Sequence, residues 1–369
     1  MSSRKIWLAV VTSVVAALGV EAVSRVLVAR GSRAVKLYRT TPLPTFWSDI
    51  DRAFGVWHPA NASFRHAERC WDVTYHANSY GARDVERSRH STGGRRHIVL
   101  GDSFIEGLAV PDGDRLTDRL NASTDEEFLN FGTSGDFGTV QELMLYRSLA
   151  SSFDHSDVLL FVLPLNDFSD NDPKYSPPTR YRPYLRLNER GTEIYYTVKF
   201  EDRNRNELGP LGRAWNALNN HVYLLNLVRQ PIERRMRRDV DRPYTSYTNH
   251  TPDEIEMMAA AIRELARAAH PRRVHVFMIP LSVDVDGYIT KEERYPIAGQ
   301  LQKALASATS VDVVDLLADF VNYAAVHRVP TSSFYLPCDG HWSSFGNAVA
   351  AEAVERHLHL STRLEPQPN

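Results

Sequence analysis

Arg96-His-Ile-Val-Leu-Gly-Asp-Ser103 is the stretch on which the fold turns. His97–Leu100 is short and apolar and stops at Gly101, which predicts a strand ending in a turn. The same kind of segment recurs downstream at Phe128–Phe131, Val158–Leu163, Val274–Ile279 and Val311–Leu316. Between these strands the spacing becomes helical, over Val140–Leu149, 254–269 and Ile297–Ala308, and a last helix is expected over Ala348–Leu358. Within 254–269, the residues Ile255, Met258, Ala259, Ile262, Leu265 and Ala266 share one face. Strands alternating with helices predict an α/β fold, a parallel sheet covered on both faces.

Outward from this core the pattern weakens. Residues 31–95 mix Pro42, Pro44, Trp47, Trp57 and Pro59 with an alternating strand at Trp71–Tyr75. They predict a linker followed by lead-in strands. The main domain then runs over 96–360, interrupted by an insertion at 168–250. The insertion predicts a hairpin (Arg182–Leu187, a turn at Asn188–Gly191, then Glu193–Phe200), a helix over Gly212–Val228 and an Arg-rich stretch at 229–242. It is either solvated surface or a lid or substrate wall. The tail 361–369 is expected to be disordered.

At the amino terminus, Met1–Lys5 is polar and basic, and Ile6–Val20 is almost wholly apolar. Apolar character resumes after Glu21 and Arg25 and lasts to Ala29. The two charges are four apart and can pair on one helix face. Residues 1–30 therefore read as a single-pass membrane anchor or as a signal peptide cut after a small residue such as Ala22. Positive charge on both flanks leaves the orientation open.

Composition narrows the function. The chain has 369 residues, with 43 Lys+Arg against 45 Asp+Glu and a net charge of −2. That balance argues against nucleic acid as a partner, which needs a clustered positive excess. At 43% hydrophobic and 24% charged, the chain is ordinary globular protein, neither disordered nor polytopic. Two cysteines exclude a disulfide-dense scaffold and a zinc ribbon.

Ligands of parallel α/β sheets gather at the carboxyl ends of the strands. Those ends carry Gly101-Asp-Ser103, then Gly132-Thr-Ser-Gly135, then Asn166-Asp167, and Cys338-Asp-Gly-His341-Trp342 precedes the last helix. A serine hydroxyl is a poor nucleophile until a base takes its proton. His341 is the candidate base for Ser103, and Asp339 the candidate group that holds the imidazole tautomer. The tetrahedral intermediate needs fixed donors. The Ser103 N–H, the Gly135 N–H and the Asn166 amide are the candidates. Each block alone also reads blandly, as a turn, a cap or a polar loop. No metal-ligand spacing occurs, and His155, His270 and His275 read as surface or core residues.

These four blocks, in this order, resemble the SGNH or GDSL hydrolase superfamily. Gly101-Asp-Ser103, Gly135, Asn166 and Asp339/His341 match its four blocks over roughly 96–360, with the insertion poorly covered. The resemblance implies a flavodoxin-like three-layer sandwich and ester hydrolysis or acyl transfer without a cofactor or metal. The apolar leader followed by Asn78-Ser-Tyr-Gly81-Ala-Arg83-Asp84 is similar to a bacterial branch tethered to the cytoplasmic membrane, which implies a catalytic domain facing the periplasm or exterior. One departure stands out. The superfamily spaces its last block Asp-x-x-His, whereas this chain has Asp-x-His, with Cys338 three before the histidine. The Asp-x-His-Trp form resembles bacterial polysaccharide O-acetyltransferases. The expected substrate is therefore an O-acyl, most simply acetyl, ester on an envelope carbohydrate or glycolipid. Water or a sugar hydroxyl is the acceptor, and a silent glycan-binding protein on the same fold is the rival of another class. Outside the cytoplasm, Cys70 and Cys338 can form a disulfide, or both remain thiols.

Overall fold

The computed structural model describes residues 3–29, 46–67, 70–91, 93–175, 180–189, 191–203, single positions and one short turn between 211 and 225, 247–248, 250–291, 294–337 and 339–360. Most of the helix expected over 212–228, the Arg-rich stretch 229–242 and the tail 361–369 lie outside these residues. The chain divides into two compact units, Met1–Pro44 with Asn206–Arg242, and Thr45–Arg205 with Pro243–Asn369.

The smaller unit contains helix α1 (Ser3–Ala29). Its Arg4–Leu27 portion has a mean hydropathy of 2.1 and is long and apolar enough to cross a membrane. Glu21 and Arg25 do pair on one face, at 2.8 Å. In the same unit the Leu224 N–H donates to Glu21 Oε2 at 3.0 Å.

The larger unit opens with two antiparallel ribbons, β1 (Ser48–Asp51) with β2 (Gly55–Trp57) and β3 (Ser63–Ala67) with β4 (Asp72–His76). Trp47, Phe54, Val56, Trp57 and Tyr75 are buried, so this lead-in segment forms part of the core. The sequence pattern showed only the strand at 71–75, because the others are three to five residues long and carry no clear apolar alternation.

The central sheet follows, from β5 (Arg96–Gly101), β6 (Glu127–Gly132), β7 (Asp157–Val162), β10 (Arg273–Met278) and β11 (Val311–Asp315). All neighbours are parallel, in the order β6-β5-β7-β10-β11. Counted within the sheet this is 2-1-3-4-5, the flavodoxin-like doubly wound order. Every residue of β5 and β7 is buried, as the apolar runs at their centres require when both faces of the sheet are covered. Between β7 and β10 lies the hairpin of β8 (Pro183–Asn188) and β9 (Gly191–Tyr196). It packs back on the lead-in segment through Tyr196 Oη, which donates to the Ala53 carbonyl at 2.6 Å.

Helices α2 (Ser103–Glu106), α3 (Leu116–Ser123), α4 (Thr139–Ser148), α5 (Asp167–Asp170), α6 (Pro252–Ala269), α7 (Ser282–Thr290), α8 (Ile297–Ala304), α9 (Leu317–His327) and α10 (Ser344–Leu358) complete the unit. They form two packed groups. One joins α3, α10, α9 and α7, and the other joins α4, α5, α6 and α8. The result is a three-layer sandwich. Helix α6 shows how locally the sequence sets its elements. Thr251 and Glu254 form a reciprocal capping box, Pro252 opens the first turn, and Ile255, Met258, Ala259, Ile262, Leu265 and Ala266 are buried.

Candidate active site

The chain runs from β5 to β6 on one side and reaches β7 on the other, so the switch point lies between β5 and β7. Ser103 sits at the end of β5 beside this point. Asp102 caps α2 by accepting the Phe104 N–H at 2.9 Å, which fixes Ser103 as the first helical residue.

His341 arrives from the far end of the chain, on a tight loop before α10. The Leu336 N–H donates to the His341 carbonyl at 2.7 Å, and the Gly340 N–H returns to the Leu336 carbonyl at 3.2 Å. Gly340 has φ +102, a backbone state that side-chain-bearing residues rarely adopt. The neighbouring Trp342 is buried, stacked on Phe320 at 5.5 Å and edge-on to Phe104 at 5.1 Å, so the loop is held down by its own aromatic anchor.

These placements bring Ser103 Oγ to 2.7 Å from His341 Nε2. The imidazole lies against Phe104, with ring centroids 4.6 Å apart. Its Nδ1 is hydrogen-bonded to Asp339 Oδ1. The turn at Gly340 lets a carboxylate only two residues before the histidine reach the ring, so Asp-x-His spacing is no obstacle to contact. Burial alone would raise the Asp339 carboxyl. The hydrogen bond and charge of His341 outweigh it and hold the group below its ordinary range. With Nδ1 donating to that carboxylate, Nε2 is the free acceptor for the serine proton. The side chains of His341 and Asp339 keep 22% and 30% of their surface exposed, so the site is open to a ligand.

The donor candidates divide. The Ser103 and Gly135 N–H groups have no acceptor among the described residues. Gly135 has φ +101 and sits in the loop after β6. The Asn166 amide donates to Asp170 Oδ2 at 3.1 Å and lies beside Asp102, so at least one of its hydrogens is engaged.

Several further residues lie near the site, of which Asp102, Asp167 and Arg83 stand within the quoted sequence blocks and Glu142 stands outside them. Asp102, Glu142 and Asp167 are wholly buried carboxyls close enough to repel one another. Burial pushes Asp102 up to about 6, and pushes Glu142 and Asp167 well above the usual carboxylate range. Arg83 is fully buried and donates to the carbonyls of Glu106, Gly107 and Val110, tying the 78–84 segment to the back of α2. Cys70 is disulfide-bonded. Cys338 lies outside the described residues. His155 and His275 are engaged structurally, with Tyr146 and Asp312 respectively. Among the described residues no group of three His, Cys, Asp or Glu is placed to hold a metal ion.

The site thus stands on a doubly wound, flavodoxin-like parallel sheet, with the Ser103 block at the end of β5 beside the switch point. No protein-family description and no curated protein matches the chain. Solved structures similar to it include a lipase/acylhydrolase from Enterococcus faecalis (12% identity, TM-score 0.38, covering 73% of this chain and 100% of that one). Another is a two-domain esterase active on acetylated mannans, co-crystallized with mannopentaose (10% identity, TM-score 0.37, 74% and 52%). A third is a carbohydrate esterase family 2 enzyme with a carbohydrate binding domain from Corynascus thermopiles (Myceliophthora fergusii) (12% identity, TM-score 0.36, 74% and 69%).

Proposed function

We propose that the chain is a membrane-tethered serine esterase that removes an O-acyl group, most simply acetyl, from a cell-envelope carbohydrate or glycolipid. The observation that carries this reading is the continuous hydrogen-bonded series Ser103–His341–Asp339 beside the sheet's switch point. In the mechanism, Ser103 Oγ attacks the ester carbonyl while His341 Nε2 takes its proton. The acyl–Ser103 bond forms, and the C–O bond to the sugar breaks as His341 returns the proton to the leaving oxygen. Water, deprotonated by His341, then releases the acid. The Ser103 and Gly135 N–H groups are the proposed donors to the developing oxyanion, and the Asn166 amide would join them through a hydrogen not engaged by Asp170.

The α1 helix supplies the tether. Cys338 is the proposed partner of the disulfide-bonded Cys70. That bond would join the β3–β4 connection to the loop of Asp339 and His341, and a linked peptide pair in a non-reducing digest would show it.

The test is acetate release from 4-nitrophenyl acetate and from an O-acetylated polysaccharide. Ser103→Ala and His341→Ala are expected to lower kcat on the order of 10³-fold or more. A product in which the acyl group moves to a second glycan would make the reaction a transfer. Equal rates in all three proteins would leave a binding protein.

A further inference from the structure

We propose that Glu106 and Arg180 form a two-sided clamp on the loop after β6 that aims the Gly135 N–H at the oxyanion; the inference rests on the esterase reading above. The polar groups of this loop are taken one after another. The Thr133 N–H donates to the Gly101 carbonyl at 3.3 Å, beside the nucleophile's own strand. The Thr133 hydroxyl donates to the Ser134 carbonyl at 3.3 Å and lies 3.2 Å from His58 Nε2. Ser134 gives both its N–H, at 2.5 Å, and its hydroxyl to Glu106 Oε2. The Gly135 carbonyl accepts from Arg180 Nη2, and Asp136 Oδ2 accepts from Arg180 Nη1 at 2.7 Å.

The consequence follows from peptide planarity. The Ser134 carbonyl and the Gly135 N–H share one rigid plane and point in opposite directions. Fixing the peptide before this plane through Glu106, its carbonyl through Thr133, and the peptide after it through Arg180 leaves the N–H a single direction. Gly135 N–H has no acceptor among the described residues. A donor held in advance of the charge it meets needs no reorganisation during the reaction.

Glu106 is built for holding. It is 0% exposed, on α2 just after Ser103, and accepts from Trp47 Nε1 at 2.9 and 3.0 Å. His58 Nε2 lies 3.2 Å from its other oxygen. A carboxylate buried this deeply must be met by donors on every side. Burial would raise its pKa, but His58, Arg83 and Ser134 outweigh that and hold it below its ordinary value. Arg180 leans directly on the loop, where a Cβ at position 135 would lie 3.6 Å from its Nη2. Neither residue is placed to react. Both act through Gly135 and are positioning residues.

The test uses the full chain carrying Glu106→Gln, Arg180→Met or Arg180→Lys. It measures kcat and KM on 4-nitrophenyl acetate, the thermal midpoint, and amide exchange across 133–136. A displacement of about 1 Å in a catalytic donor costs on the order of 10²-fold. Glu106→Gln and Arg180→Met are therefore expected to unfold near the wild-type temperature, with kcat down about 10²-fold, KM unchanged and faster exchange in the loop. Arg180→Lys, which keeps one donor, recovers part of the loss. Folded variants with wild-type kcat overturn the clamp. If Glu106→Gln fails to fold, the Arg180 pair decides. If the wild type is no faster than Ser103→Ala, the esterase reading falls, and amide exchange alone decides the clamp, with unchanged exchange overturning it.

Discussion

At the scale of single residues, the site combines a partly exposed carboxylate, held below its ordinary range, with buried acids whose pKa values burial raises. Asp339, partly exposed and bonded to His341, keeps its charge. Its replacement by Asn would let the imidazole adopt the wrong tautomer, and kcat is expected to fall about 10³–10⁴-fold with little change in KM. Asp102, Glu142 and Asp167 behave in the opposite way, because burial favours their protonated forms. An acid whose pKa is raised by folding makes the protein most stable below its unfolded value, near 3.8 for Asp102, and stability is lost as pH rises through the folded value, about 6 there. Glu142 and Asp167 extend that loss to higher pH. Glu142→Gln, which keeps volume and a donor while removing the ionisable proton, is thus expected to raise the thermal midpoint at pH 8 and leave it unchanged at pH 4. The gain would be about 2–4 °C per kcal/mol recovered. A midpoint that moves equally at both pH values would show that Glu142 acts through packing alone.

At the scale of elements, the loop between Leu336 and His341 does the most with the fewest residues. Nothing lies within 4 Å of a Cβ added at Gly340, so the whole cost of Gly340→Ala falls on the backbone at φ +102. Chemical denaturation should register about 1–3 kcal/mol. The kcat loss should be larger than that destabilisation suggests, because the same turn brings Asp339 to the ring. The disulfide at Cys70 gives a second element-scale prediction. Cys70→Ser is expected to lower stability by about 2–4 kcal/mol, read as a lower denaturation midpoint that reducing agent no longer shifts.

At the scale of the molecule, the proposal assigns attachment to α1, which is long and apolar enough to cross a membrane, and chemistry to the sandwich. Membranes washed with alkali should retain the full chain, while a chain lacking residues 1–29 should be recovered in solution. Amino-terminal sequencing of the retained protein would distinguish an intact anchor from cleavage at Ala22. The sandwich was legible in the sequence because its strands centre on short apolar runs and its helices carry apolar periodicity, as in α6. Ser103, Asp339 and His341 were legible as candidates because a serine at a strand end and an Asp/His pair just before the last helix stand in a known order, and the structure brings the three side chains together. Glu106 and Arg180 were not. A glutamate on a four-residue helix and an arginine within an insertion have no local signature, and their meaning lies in bonds to Ser134 and Gly135 across 28 and 45 positions. The lead-in strands other than β4 were equally silent, since strands of three to five residues carry little periodicity of their own. The central claim remains that the Ser103 hydroxyl is activated by His341. Intact-mass analysis after incubation with a fluorophosphonate tests it most directly. A single adduct on Ser103, formed rapidly in the wild type and far more slowly in His341→Ala, is the predicted result, whereas no adduct, or one formed equally fast without the histidine, would contradict it.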